Sequence, residues 1–127
     1  MAATLELTEA NFEDTLKKGG ILFIDFWAAW CGPCRAFAPT FEGAATKHAD
    51  ITFAKVDTEK EKGLAQAFEI RGIPTLAIFR DGIMLGQNAG ALPSEAFEKV
   101  IEQVRAFDMN KVKDEAVAAH SKQPSKG

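Results

Sequence analysis

The chain of 127 residues contains two cysteines, and both lie in Trp30-Cys31-Gly32-Pro33-Cys34. Two thiols at this spacing can close a structural bridge, supply half of a metal site, or cycle between dithiol and disulfide. A bridge over two intervening residues would constrain little unfolded-state entropy, because that gain grows with loop length. A chain of this length does not need such staples, since it buries roughly two thirds of its unfolded surface in one core. Zinc usually takes four ligands, and the only histidines are His48, at the far end of the following helical stretch, and His120, near the C-terminal end. A CxxC directly after a strand in a βαβ pattern is the arrangement of a redox motif.

Cys31 falls where an apolar run gives way to helical periodicity. The first-turn N–H groups of a helix lack intrahelical partners and carry partial positive charge. A thiolate there is stabilised, which makes Cys31 a nucleophile near neutral pH. Gly32 permits close approach of another backbone, and Pro33 sits in the first turn, where a missing N–H costs nothing. Cys34 lies one turn further in, within bridging reach and more buried, as a resolving thiol would be.

Asp25 is the second chemical candidate, because it interrupts the apolar run Ile21-Leu-Phe-Ile-Asp-Phe-Trp27. Burial disfavours its charged form and moves its proton affinity toward neutrality. Such a carboxyl can exchange a proton with Cys34; alternatively it is a structural acid bonded to a neighbouring strand or to water. Lys55 is a candidate partner across adjacent strands, or an ordinary strand-end lysine in solvent. Ile73-Pro74, after Gly72 and directly before a strand, is the third feature. Only about 5–6% of X-Pro bonds in folded proteins are cis, so local physics leaves its isomer open. Trp27 is expected in the core, and Trp30 as a partly exposed cap over the dithiol.

The elements that must position these groups follow from periodicity. Thr4 to Leu7 alternates and predicts a short edge strand. Thr8 is a candidate N-cap for a helix with Phe12 and Leu16 at i, i+4, stopped by Gly19-Gly20. Ile21–Trp27 has the nearly continuous apolar character of a strand covered on both faces. A helix is expected from about Pro33 to His48, with Phe37, Phe41 and Ala44/Ala45 on one stripe and a kink at Pro39. A strand at Ile51–Val56, a helix at about Lys60–Phe68 and a strand at Thr75–Phe79 come next. Asp81-Gly82 is a two-residue hairpin signal leading into Ile83–Gln87. A last helix starts near Pro93 or Ser94 with Phe97, Val100, Ile101 and Val104 on one face. The order β-α-β-α-β-α-β-β-α predicts an α/β sandwich around a central mixed sheet.

Composition narrows the function further. Hydrophobic residues make up 46% and charged residues 26%, with fifteen Lys+Arg against eighteen Asp+Glu and a net charge of −3. No basic excess speaks for nucleic acid. The longest uninterrupted apolar stretch, Phe26 to Cys31, is far short of the ~20 residues of a membrane helix. The first nine residues have neither a basic nor an apolar signal region, which predicts a cytoplasmic protein. Residues 1–107 form the expected domain; 108–127 form a C-terminal extension, partly helical and then disordered.

The set Phe26-Trp-Ala-Ala-Trp-Cys-Gly-Pro-Cys34, with Asp25 before it, Pro39, Ala54-Lys-Val-Asp57, Arg71-Gly-Ile-Pro-Thr75 and Gly90-Ala-Leu92, closely resembles the thioredoxin family over about Leu5 to Arg105. The resemblance implies a four- or five-stranded mixed sheet flanked by four helices, and an enzyme that reduces protein disulfides. It implies Cys31 as nucleophile, Cys34 as resolving thiol, Asp25 as buried acid/base and Lys55 as its neighbour. It implies a cis Pro74 packed against the dithiol, and an Ile73 backbone that pairs with an extended substrate segment. Trp30, Gly32, Pro33, Gly72, Ile73, Pro74, Gly90 and Ala91 would line the substrate surface. No bound cofactor or metal is implied beyond the Cys31–Cys34 dithiol/disulfide. The implied electron donor is an NADPH-dependent thioredoxin reductase, the clients are disulfide-containing proteins, and the chain is expected to be a monomer. The histidine common between the cysteines of oxidising relatives is absent. A cation there would stabilise the reduced thiolate and make a stronger oxidant, so Gly-Pro points to a reductant. A binding scaffold and a net oxidase or isomerase are the competing readings.

Overall fold

Strand β2 (Ile21–Trp27) forms the middle of the molecule, because its apolar run leaves no face suited to water. The computed structural model describes residues 3–110. Around β2 lie β1 (Leu5–Glu6), β3 (Thr52–Asp57), β4 (Thr75–Arg80) and β5 (Ile83–Ala89), in the sheet order β1-β3-β2-β4-β5. β3 runs parallel to β1 and β2, while β4 is antiparallel to β2 and β5, so the sheet is mixed as expected.

Helices cover both faces. α2 (Gly32–Lys47) and α4 (Ser94–Ala106) place Phe37, Phe41, Phe97, Ile101 and Val104 against Ile21, Phe23, Phe53 and Leu76. α1 (Phe12–Lys17) and α3 (Lys62–Ala67) bring Phe12, Leu16 and Leu64 against Leu22, Ile24, Phe26, Val56 and Phe79. The alternation of side chains along a strand sorts these two sets. It also sends Asp25 to the face of Phe23, which is the α2 face. β3 is likewise covered on both sides, with Phe53, Ala54 and Val56 all buried, although its sequence alternates.

The first helix begins later than Thr8. Thr8 and Asn11 instead close a turn: the Asn11 N–H donates to the Thr8 carbonyl at 3.2 Å, and the Asn11 carboxamide accepts from the Thr8 N–H at 2.7 Å. The helix then starts at Phe12, with Asn11 as its N-cap residue. α2 continues through Pro39, whose missing N–H leaves the Arg35 carbonyl without its i+4 donor. In the β4–β5 hairpin, Asp81 (φ 53°) and Gly82 (φ 80°) both take the left-handed conformation that a two-residue turn demands. Arg80 closes the far end of α4, donating to the carbonyls of Val104 (2.7 Å) and Arg105 (3.1 Å).

Beyond Phe107 the described chain reaches a buried Met109. From residue 111 onward, the expected partly helical and disordered segment lies outside the described residues. Among the described residues, no helix is long and apolar enough to cross a membrane.

Phe97 lies at the centre of an aromatic cluster, with ring centroids 5.4 Å from Phe23, 5.6 Å from Phe37 and 5.9 Å from Phe41. It joins α4 both to α2, through Phe37 and Phe41, and to the sheet, through Phe23 and Phe53. Phe97→Ala is expected to lower the unfolding free energy by about 3–5 kcal/mol. Urea denaturation measures this, and a loss below about 1 kcal/mol would show that the cluster does not anchor α4.

Candidate active site

The dithiol motif occupies the junction between the buried end of β2 and the first turn of α2. After Trp27 the chain buries Ala28 and turns through Ala29 and Trp30, and Cys31 then takes the N-cap position in extended conformation (φ −88°, ψ 112°). The Cys31 sulfur accepts the Cys34 backbone N–H at 3.2 Å. An orphan donor of the helix start therefore points at the sulfur, and the same N–H would stabilise a thiolate there. Cys31 and Cys34 are joined as a disulfide, with Cα atoms 5.2 Å apart. Both residues are buried, Cys31 at 4% and Cys34 at 2% exposure, so overall burial separates the two less than their expected roles do. Arg35 braces the junction by donating to the Ala29 carbonyl at 2.7 Å.

The loop before β4 packs onto the disulfide. The Ile73-Pro74 peptide bond is cis and Pro74 is fully buried. The Ile73 carbonyl oxygen lies 3.6 Å from the Cys31 sulfur, and the Ile73 side chain packs against the cysteine pair. The Gly90 N–H donates to the Pro74 carbonyl at 2.7 Å, and the Thr75 hydroxyl donates to the Gly72 carbonyl. Gly90 takes φ 109°, a conformation that favours glycine. Through these contacts Cys31, Ile73, Pro74 and Gly90 are brought together. Gly32, Pro33, Gly72 and Ala91 are exposed nearby in the chain. Trp30 is more open than a cap over the dithiol, at 67% exposure, with its indole N–H donating to Glu59 at 3.4 Å. Trp27 is half-buried rather than core; it packs beside the cysteine pair, and the Lys55 ammonium stands 5.0 Å from its ring centre.

Asp25 is 1% exposed, and among the described residues neither carboxyl oxygen has a hydrogen-bond partner. It is therefore not bonded to a neighbouring strand. Burial, which penalises the anion, pushes its pKa up to about 7; the positive charge of Lys55 opposes the rise and the negative charge of Glu42 adds to it. Lys55 is the register partner of Asp25 in β3, as the cross-strand expectation requires. Its ammonium does not pair with Asp25, however, but with Glu42 of α2, at 3.3 Å. Glu42 was not singled out from the sequence. Its signal there is helical spacing: Cys34, Ala38 and Glu42 follow one i, i+4 row of α2.

Among the described residues no cluster of three or more metal-ligating side chains occurs. The His48 imidazole bonds Glu98 at 2.9 Å and Arg105 at 3.1 Å, far along α2 from the disulfide. His120 lies outside the described residues.

A redox-active cysteine pair that caps a helix at the end of a central strand defines a thiol–disulfide oxidoreductase. The family model described as Thioredoxin matches residues 3–103. A Streptomyces coelicolor protein provisionally named thioredoxin 2 is 47% identical over 123 residues, 97% of this chain and 91% of its own. Thioredoxin from Alicyclobacillus acidocaldarius is 41% identical over 103 residues, 80% of this chain and 98% of its own. Among solved structures, a mutant thioredoxin from Halobacterium salinarum superposes with a TM-score of 0.73 at 32% identity, covering 79% of this chain and 88% of that one. The chain belongs to the thioredoxin family. The Streptomyces match, at 97% of this chain, runs through most of the segment after Phe107.

The Asp25 environment has a direct consequence for stability. Its proton affinity is higher in the folded chain (pKa about 7) than the ordinary value of 3.8. The folded state therefore loses stability as pH rises from about 4, and the loss is complete once pH exceeds about 7. Asp25→Asn is expected to raise the unfolding free energy of the oxidised protein at pH 8 by up to about 4 kcal/mol. Little change is expected at pH 4. Guanidinium unfolding at both pH values checks this; a variant no more stable than the parent at pH 8 contradicts it.

Proposed function

We propose that the chain is a protein-disulfide reductase, and the observation that carries this reading is a buried carboxyl on the strand that leads into a helix-capping dithiol. In the reduced protein the Cys31 thiolate attacks one sulfur of a client disulfide, and the client's other sulfur leaves as a thiolate and takes up a proton. Cys34 then gives its thiol proton to the Asp25 carboxylate and attacks the Cys31 sulfur. The second client sulfur leaves as a thiolate and takes up a proton from water, and the Cys31–Cys34 bridge carries the two electrons' worth of oxidation. A carboxyl poised near neutrality suits this transfer, because it is basic enough to take the proton and acidic enough to release it.

The client approaches over Trp30, Gly32, Pro33, Gly72, Ile73, Pro74, Gly90 and Ala91. An extended client segment pairs with the Ile73 backbone next to the Cys31 sulfur. The 3.6 Å approach of the Ile73 carbonyl to that sulfur supports this placement. The Gly-Pro dipeptide, which adds no cation to the thiolate, supports the reducing direction. An NADPH-dependent thioredoxin reductase returns the bridge to the dithiol, and the chain works as a cytoplasmic monomer. Its catalytic body is residues 1–107 and its appendage is 108–127; the family match over 3–103 supports that division.

Insulin reduction driven by NADPH and a thioredoxin reductase tests the reading. Cys31→Ser is expected to abolish turnover, and Cys34→Ser to accumulate a covalent mixed disulfide with the client, seen by mass spectrometry. Turnover retained in Cys31→Ser would refute the assignment of the nucleophile.

A further inference from the structure

Two carboxylates compete for one ammonium at the edge of this site. Asp25 and Lys55 are register partners on adjacent parallel strands, and both side chains lie on the α2 face, so the strand spacing of about 4.8 Å puts the ammonium within reach of Asp25. It goes instead to Glu42, at 3.3 Å, with the Trp27 ring 5.0 Å away. The Lys55 side chain is 19% exposed and that of Glu42 47% exposed, so the pair forms where Glu42 keeps its hydration. A carboxylate at 1% exposure, such as Asp25, would have to give up all of its hydration to ionise.

We infer that Glu42 is a positioning residue for the proton transfer of Cys34: its carboxylate holds the Lys55 ammonium off Asp25 and leaves the Asp25 carboxyl free to take the proton. The inference deepens the reading of Asp25 as the base and rests on it. The charged groups bearing on Asp25 are Lys55 from β3 and Glu42 from α2. Its register neighbour in β4 is Leu76, which carries no charge. With Glu42 ionised, the Lys55–Glu42 pair acts on Asp25 as a dipole and not as a bare cation. Without Glu42 the ammonium is uncompensated and can turn toward Asp25, favouring the carboxylate; a carboxylate stabilised by a neighbouring cation is a weaker base. Glu42 also acts on Asp25 directly, since its negative charge raises the Asp25 pKa while the positive charge of Lys55 lowers it.

The test uses the full chain with both cysteines reduced. The Asp25 titration is followed by the carboxyl carbon signal in NMR. The resolving step is followed by stopped-flow tryptophan fluorescence during single-turnover reduction of a disulfide peptide. In Glu42→Gln the Asp25 midpoint is expected to fall by about one pH unit, and the pH profile of the resolving step to move with it. Glu42→Asp, which keeps the charge, should restore most of the shift. In a Lys55→Met background, Glu42→Gln should move the midpoint by clearly less, because only the direct repulsion between Glu42 and Asp25 is then lost. An Asp25 midpoint unmoved by Glu42→Gln, or moved equally in the Lys55→Met background, overturns the inference. A midpoint that falls while the resolving profile stays in place overturns Asp25 as the base, and with it the catalytic role of Glu42. Since Glu42 is an exposed helix residue, its variants are expected to fold.

Discussion

The hydrogen-bond ladders on both sides of β2 are the constraint on which the rest depends. With β3 on one edge and β4 on the other, β2 has no solvent edge, and the helices on its two faces leave it no solvent face. Its side chains from Ile21 to Phe26 are therefore taken out of water, including the carboxyl of Asp25. The same strand ends at the first turn of α2, where Cys31 must cap the helix. One element thus sets both the acid's desolvation and the sulfur's position at a helix start.

Desolvation and charge then act on Asp25 with unequal strength. A surface carboxylate beside a lysine would titrate low, as Asp50 does with Arg105, whose guanidinium bonds hold its pKa at about 2. Asp25 titrates high although a lysine lies on the neighbouring strand, because burial outweighs the attraction. The fold tolerates this cost because the surrounding core is large and aromatic. Phe23, Phe41, Phe53 and Phe97, all fully buried or nearly so, lie on the same face of the sheet. Stability supplied by that cluster offsets a group kept for chemistry, an arrangement usual at functional sites.

Several of these features were legible in the sequence because they are local. The run Ile21–Trp27 forecast a strand covered on both faces, and Asp81-Gly82 forecast the hairpin turn, since in each case neighbouring residues decide the conformation. The CxxC after that strand identified a redox pair. Thr8 misled because threonine suits an N-cap and a turn about equally, and the Asn11 side chain decided for the turn by bonding the Thr8 N–H. Trp27 looked like core from its apolar neighbours, but at the strand end it is only half covered.

The sequence by itself determined which groups could do chemistry: a dithiol at a helix start and a carboxyl in an apolar strand. It also put Lys55 on a strand, as a candidate partner of that carboxyl or a lysine in solvent. Only the tertiary structure decided which carboxylate the lysine would serve. Glu42 lies thirteen residues from Lys55, on a helix that reaches it only when α2 packs on the sheet. The choice between the two carboxylates depends on their relative desolvation. The cis bond at Pro74 was open for the same reason, since local physics weakly prefers trans and packing against the disulfide is a non-local contact. Desolvation and long-range packing are properties of the folded chain, and no run of neighbouring residues encodes them alone.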